Sequence, residues 1–392
     1  MTWSRRLVRT AHAVERPFDA ARRRLVWRLH PSRPLSIAGY RGYGNGEVVR
    51  AWGRVLIDKG VGTQGPSDPL WKNVVNTWRR LASDEVPGAR VALRLGERTV
   101  EATSDEEGYF SFLLPAPSGL GAGWYEMPIE IVAVPAGLAG RARRGGTRLR
   151  VLTPPADARF AVASDLDDTV LETGVTSKLV LARNVFLRNA YSRVPFPGVV
   201  AFYRALAGRA VDGTGNPLFY VSASPWNLYD LVAHFLALQG LPEGPLLLRD
   251  LGLDASGLVL RSTAEHKLSH LARLLATYPG LSWILIGDST ELDPEIYAEL
   301  IRRHPGRVLA VYLREVTGPH PLRRRKVAEI AEEIEALGTP FLHLADTVSA
   351  AIHAAEHGWI RGEEVDWVRQ DRRLEEARPT PTEAAVGGGG DA

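Results

Sequence analysis

Beyond Pro154-Pro155 the chain alternates between two arrangements of apolar residues. Short, nearly continuous apolar runs (RFAVASD, NPLFYVSAS, LSWILIGDS and RVLAVYLREV) have the character of strands buried on both faces. Between them lie residues 175–192, VVAFYRALAG, WNLYDLVAHFLALQG, AEHKLSHLARLLATYP and PEIYAELIRRHP, read as helical segments. Strands alternating with helices predict a parallel sheet covered on both faces. VAEIAEEIEALG (327–338) predicts a further helix, and PFLHLADTVSAAIHAAEHGWI extends the same layers. From about Arg373 the polar, Gly-rich tail ending in TPTEAAVGGGGDA lacks the apolar content that would order it.

The pattern upstream is different. From Gly39 to Pro135 short alternating runs predict strands: EVVRAWGRVLID (47–58), the stretch ARVALRLGERTVEATSDEEGYFSFLLP (89–115) and YEMPIEIVAV (125–134). Turns are expected at Leu95-Gly96-Glu97 and Glu107-Gly108, and a short helix at 71–83. Together these predict a small β-sandwich-like domain, and the SDEEGYFSF turn resembles one in transthyretin-like and carboxypeptidase-regulatory sandwiches. Residues 4–30 place Leu7, Val8, Ala11, Val14, Phe18, Ala21, Leu25 and Leu29 at roughly helical spacing among many arginines, broken at Pro17. Two readings of this basic amphipathic segment stay open: adsorption to an anionic membrane surface, or docking on its own protein with the arginines in water. The expected organisation is 1–34 helix and linker, 35–153 β-rich domain, 154–370 α/β domain and 371–392 tail.

Composition narrows the chemistry. In 392 residues there is no cysteine, which removes disulfides, thiolate catalysis and Cys-ligated zinc or iron–sulfur sites. No apolar run approaches the roughly 20 residues that span a bilayer, and the N-terminus does not resemble a signal peptide. The expectation is a cytoplasmic protein, with peripheral membrane contact following from one of the two readings of the basic segment. Net charge is only +3, and no basic-aromatic groove or zinc spacing points to nucleic acid.

In open parallel sheets ligands bind beyond the carboxyl ends of the strands. Here those ends carry Asp165-Leu166-Asp167-Asp168-Thr169, then Ser222-Ala223-Ser224, then Asp288 continuing to Asp293, with Lys267 at the start of a helix between the last two. Clustered carboxylates repel one another, so a cation is expected among them. Carboxylates, a hydroxyl and an ammonium at one sheet edge suit phosphoryl transfer. Mg²⁺ takes oxygen ligands and keeps several waters, so one or two carboxylates suffice to hold it. Asp165 can ligate the metal through one oxygen and attack phosphorus with the other, forming an aspartyl-phosphate. Asp167 can protonate the leaving alkoxide and later activate water. Ser222 and Lys267 can hold phosphoryl oxygens, and Asp288 completes the metal site. Asp168 is read as a capping or supporting residue, and Glu172 as lying at the substrate entrance. Asp293 is read as orienting Lys267 or a metal-bound water, and His266, His234 and His270 as packing residues.

Asp-x-Asp-x-Thr at 165–169, Ser222, Lys267 and Gly287-Asp288-x-x-x-x-Asp293 occur in the order of the four motifs of the haloacid dehalogenase superfamily, which the chain resembles. SDLDDTVLETGVT, VSASPWNLYDLVAHFL and HKLSHLARLL…ILIGDSTELDPEIYAEL resemble more closely the actin-patch-protein type of phosphatidate phosphatase, related to the lipins, over roughly residues 155–320. The resemblance implies a Rossmann-like doubly wound core, an Mg²⁺-dependent Asp165 nucleophile, metal contact through the Asp167 backbone carbonyl, and phosphate contacts from Thr169, Ser222, Ala223 and Lys267. It also implies phosphatidate as substrate and diacylglycerol as product.

Spacing bears on the substrate. About 45 residues separate Thr169 from the strand before Ser222, and 44 separate Ser222 from Lys267, too few for a large cap. An open site suits a phosphate displayed on a large object, and the basic start of the chain favours phosphatidate or another phosphorylated lipid. A phosphatase of a soluble phosphomonoester or phosphoprotein, and an inactive lipid-binding module, are the alternatives.

Overall fold

The computed structural model describes residue 27 and residues 32–58, 84–141, 143, 146–166, 197–208, 215–249, 263–315, 321–344 and 346–377. The expected basic helix, apart from Trp27, lies outside the described residues. So do the helix at 71–83, the segment 175–192, Asp167, Asp168, Thr169, Glu172 and residues 378–392. Contacts divide the chain into two units, Met1–Tyr43 with Glu47–Gly119 and Glu126–Val151, and Gly44–Gly46 with Leu120–Tyr125 and Leu152–Ala392.

Ahead of residue 154 the period-2 pattern becomes a nine-stranded sheet of β1 (Leu35–Gly39), β2 (Arg41–Gly44), β3 (Val48–Ile57), β4 (Asp84–Glu85), β5 (Arg90–Leu95), β6 (Arg98–Thr103), β7 (Tyr109–Pro115), β8 (Gly123–Ala133) and β9 (Thr147–Thr153). β1, β4 and β7 all pair with the long β3. Alternate residues along β7 and β8 are buried and exposed, as a sheet with one wet face requires. Both expected turns are present. Gly96 takes φ +61° in the two-residue connection of β5 to β6, whose last pair is Leu95 with Arg98. In the second turn the Asp105 carboxylate accepts from the Glu107 and Tyr109 amides at 2.9 and 2.8 Å. Gly108 there has φ +84°, and a Cβ would stand 2.6 Å from the Val55 carbonyl oxygen, so only glycine fits. β9 and the strands before β3 were not individually foreseen.

The second unit contains a six-stranded, all-parallel sheet in the order β12-β11-β10-β13-β14-β15. The strands are β10 (Ala161–Asp165), β11 (Leu218–Pro225), β12 (Leu246–Arg249), β13 (Trp283–Asp288), β14 (Val308–Arg314) and β15 (Phe341–Leu344). Their apolar runs are buried almost throughout, with Phe219, Tyr220 and Trp283 fully enclosed. β12 escaped the sequence reading because four residues, Leu-Leu-Leu-Arg, carry no usable period.

The described helices are α1 (Val199–Leu206), α2 (Tyr229–Leu238), α3 (Thr263–Thr277), α4 (Asp293–Arg303), α5 (Pro321–Ala336), α6 (Thr347–Glu356) and α7 (Gly362–Glu376). α3, α4 and α5 pack successively on one another, and α1, α6 and α7 form a second group. α7 runs past residue 370, where the tail was expected to begin. Its last turns have work to do at the start of α1: Glu375 accepts from the Gly198 amide at 2.8 Å and Asp371 from the Ala201 amide at 3.2 Å. Carboxylates at a helix N-terminus satisfy orphan amides and complement the dipole, which a reading of composition alone overlooks.

The chain runs from β10 outward to β11 and β12, then returns to the other side of β10 for β13, β14 and β15. The direction of winding therefore reverses between β10 and β13, the place where open α/β sheets form a crevice at their carboxyl edge.

Candidate active site

β10 ends in Asp165, which pairs in register with Val221 of β11, so Ser222 stands immediately beyond it. Asp288 closes β13, in register with Arg314 of β14. Asp165, Ser222 and Asp288 thus share the carboxyl edge of three adjacent strands. Between Val221 and Pro225 the β11–β12 register shifts, an irregularity that bends a strand out of its ladder at Ser222-Ala223-Ser224. Ser222 is buried, its hydroxyl accepting from the Ser224 amide at 3.0 Å, while Ala223 is partly accessible.

α3 brings Lys267, only 2% exposed, against this edge. Its ammonium lies 2.6 Å from Asp165 Oδ1, 3.0 Å from Asp293 Oδ1 and 3.3 Å from Glu291 Oε2. Three carboxylates therefore surround the three donors of one ammonium. Asp165, Glu291 and Asp293 lie close enough, with ligand atoms within 4.8 Å of one another, to share a cation. In the folded chain that position belongs to Lys267.

Asp293 reaches the cluster from the first position of α4. Its Oδ2 accepts from the Asp288 amide at 3.0 Å while Oδ1 takes Lys267, so both oxygens of this fully buried carboxylate are engaged. The approach depends on Gly287, where a Cβ would stand 2.5 Å from Asp293 Oδ2 and 2.8 Å from the Tyr297 ring. Asp288 is held in turn by Thr290, whose amide and hydroxyl donate to Oδ1 at 2.7 and 2.6 Å. Its other oxygen, Oδ2, is buried and has no hydrogen-bond partner among the described residues. A buried carboxylate oxygen without a partner is costly. An oxygen of this kind suits a hard divalent cation bound by oxygen ligands. Asp165, Glu291 and Asp293 surround Lys267, and Asp288 joins them through its amide, which donates to Asp293.

Behind Asp165, Ser164 donates to the Asp165 carbonyl at 3.0 Å, and its hydroxyl shares a 2.8 Å hydrogen bond with the Tyr203 hydroxyl. Burial pushes the Tyr203 phenol up to about 12; the Ser164 bond opposes that rise and the nearby Asp165 charge adds to it. The phenol accordingly stays neutral. His266 and His270 pack edge to face, with ring centroids 4.4 Å apart, and burial holds the His234 imidazole below its ordinary value. Glu291, Thr290, Ser164 and Tyr203 were not singled out from the sequence. Glu291 and Thr290 lie inside the Gly-Asp-Ser-Thr-Glu-x-Asp segment, but only the fold turns Glu291 toward Lys267.

Residues 160–315 match the family model described as phosphatidate phosphatase APP1, catalytic domain. The resemblance is to that catalytic domain. Phosphatidate phosphatase APP1 of Saccharomyces cerevisiae is 34% identical over 156 residues, covering 40% of this chain and 26% of that protein. An uncharacterized protein of Schizosaccharomyces pombe is 27% identical over 158 residues, covering 40% of this chain and 25% of its own length. The chain thus spans about a quarter of the length of these curated relatives. Among solved structures, a carbohydrate acetylesterase from Xanthomonas citri aligns over 87% of this chain and 73% of its own at 12% identity. Its TM-score of 0.27 carries no argument. Asp165, Ser222, Lys267, Asp288, Glu291 and Asp293 all fall within the stretch matched to the APP1 catalytic domain. No described helix is long and apolar enough to cross a membrane.

Proposed function

We propose that the α/β unit is a haloacid dehalogenase-like phosphatase with a Rossmann-like core and no large cap, which removes phosphate from phosphatidate to leave diacylglycerol. The observation that carries this reading is the Asp165 carboxylate at the end of a central strand, 2.6 Å from a buried lysine, within a stretch matching a phosphatidate phosphatase catalytic domain.

In this reading an oxygen of Asp165 attacks phosphorus while the bond to the leaving alkoxide breaks, and Asp167 gives its proton to that alkoxide oxygen. Asp167 then takes a proton from water, the water oxygen attacks phosphorus of the acyl phosphate, and inorganic phosphate leaves as the Asp165 carboxylate re-forms. Lys267 pins Asp165 Oδ1 before substrate arrives. With substrate bound it shares its donors with phosphoryl oxygens and offsets the charge gathered there. Ser222, Ala223 and Thr169 supply further donors to the phosphoryl group. Asp293 holds Lys267 and the Asp288 amide in place, and Asp168 supports the loop. Mg²⁺, held by Asp165, Asp288 and the Asp167 backbone carbonyl, would supply charge neutralisation for the approach of one anion to another.

The segment 1–34 is proposed as the membrane contact, 35–153 as the β-rich domain and 154–370, extended to the end of α7, as the phosphatase domain. Phosphate release from phosphatidate-containing vesicles, compared with soluble phosphomonoesters with Mg²⁺ and with EDTA, tests the reading. Mg²⁺-dependent release from vesicles exceeding that from soluble esters is the expected result. Release confined to soluble esters would move the substrate assignment, and no release from any ester would end the phosphatase reading.

A further inference from the structure

The loop that joins β13 to α4, residues 289–292, is fastened from outside the matched catalytic region. Arg323, in the first turn of α5, donates from Nε to the Ser289 carbonyl at 2.9 Å and from Nη2 to the Glu291 carbonyl. The same guanidinium grips the Glu295 carboxylate with both terminal nitrogens, Nη1 to Oε1 and Nη2 to Oε2, the latter at 3.0 Å. Lys326, three residues on, adds a contact to Glu295 Oε1 at 2.8 Å. One planar group therefore bonds two successive points of the loop and the first turn of the helix that follows. Arg323 and Glu295 are well shielded, at 19% and 25% side-chain exposure, so water competes weakly for these bonds. Burial tends to raise the Glu295 carboxyl, but hydrogen bonds from Arg323 and Lys326 overcome this and bring it to about 2.

What the loop carries gives the clamp its consequence. Glu291 extends from it to Lys267, and Asp288 and Asp293 stand at its two ends. Ser289, whose carbonyl Arg323 holds, also donates its amide to the Arg314 carbonyl at 3.1 Å. We propose that Arg323 is a positioning residue, fixing the 288–295 loop so that Glu291 and Asp293 meet Lys267 and Asp288 stands at the strand edge in register with the reacting phosphate. This rests on the phosphatase reading. Lysine is a poor substitute, because a point charge on a flexible stem cannot bond two carbonyls and a bidentate carboxylate at once.

The test compares wild type, Arg323→Ala, Arg323→Lys and Glu295→Gln, measuring kcat and KM on a soluble aryl phosphate together with hydrogen exchange resolved by segment. Misplacement by about an ångström in a catalytic constellation costs up to roughly a hundredfold. Arg323→Ala should therefore lose about ten- to a hundredfold in kcat with KM little changed, and guanidinium ion at low concentration should restore part of it. Arg323→Lys should fall between, and exchange should quicken in 288–295 but not in 161–166 or 218–225. Two results overturn the proposal: kcat within about threefold of wild type in both Arg323 variants, or loss of kcat with exchange quickened throughout the α/β unit. If Arg323→Ala does not fold, the same criteria apply to Arg323→Lys and Glu295→Gln. If wild type hydrolyses no ester, the phosphatase reading fails on its own. The clamp is then judged by exchange: local quickening upholds it as a loop-positioning contact, and unchanged exchange ends it.

Discussion

Replacing Asp293 by asparagine changes almost no volume and yet should be severe. The carboxylate is fully buried and uses both oxygens as acceptors, Oδ1 from the Lys267 ammonium and Oδ2 from the Asp288 amide, each at 3.0 Å. Asparagine offers one acceptor and one donor. With its oxygen toward Lys267, its NH₂ faces the Asp288 N–H; flipped, the NH₂ faces an ammonium. Either way one buried donor loses its partner, which costs about 1–3 kcal/mol, and the charge-assisted bond to Lys267 weakens as well. Complete rupture of a buried ion pair costs about 3–5 kcal/mol, and Lys267 keeps Asp165 and Glu291 as partners, so the expected loss is about 2–4 kcal/mol. For a unit of this size that corresponds to a fall in Tm of roughly 5–15 °C. Scanning calorimetry on wild type and Asp293→Asn, with urea unfolding as a second measure, reads it directly. A Tm within about 1 °C of wild type would refute the claim that Asp293 is held by two buried donors.

The remaining predictions concern chemistry, acid stability and the membrane. Asp165→Asn should lose at least about a thousandfold in turnover and form no beryllofluoride adduct; retained turnover would remove Asp165 as nucleophile. Asp167→Asn should slow esters with poor leaving groups much more than aryl phosphates, whereas Asp168→Asn should be milder on both; a greater catalytic loss at Asp168 would reverse the two roles. Glu295 has a depressed pKa, so its contribution to stability is present above the unfolded carboxyl value of 4.5 and is lost as pH falls toward about 2. Urea midpoints followed from pH 6 to pH 2 should show that loss in wild type, and a shallower one in Arg323→Ala. Deleting residues 1–33 should weaken binding to anionic vesicles and lower vesicle activity, with high salt acting likewise, while a soluble aryl phosphate is still hydrolysed; parallel loss of both activities would make the segment a packing element.

Much of the α/β unit was legible because its strands are apolar on both faces and its helices on one, so the period itself records the burial. The strand-end rule then selected Asp165, Ser222 and Asp288 without knowledge of strand order. Sequence also marked Gly287, Lys267 and Asp293, whose spacing is fixed by the geometry of one strand end and one helix start. Contacts between segments distant in the chain were not legible. That β13 returns to lie beside β10 is decided by tertiary packing, and so is the seating of α3 that brings Lys267 within 2.6 Å of Asp165. The sequence asked for a cation at Asp165; the fold sets the Lys267 ammonium beside it together with Glu291 and Asp293, and Asp288 Oδ2 has no partner among the described residues. Glu291 was not singled out, and Arg323, one of three consecutive arginines ahead of the helix expected at 327–338, carried no signal of its own, because local pattern reports only whether a side chain leaves the surface. Which partner it meets there depends on the neighbouring helix, and hydrogen-bond direction and charge at 3 Å are properties of that meeting.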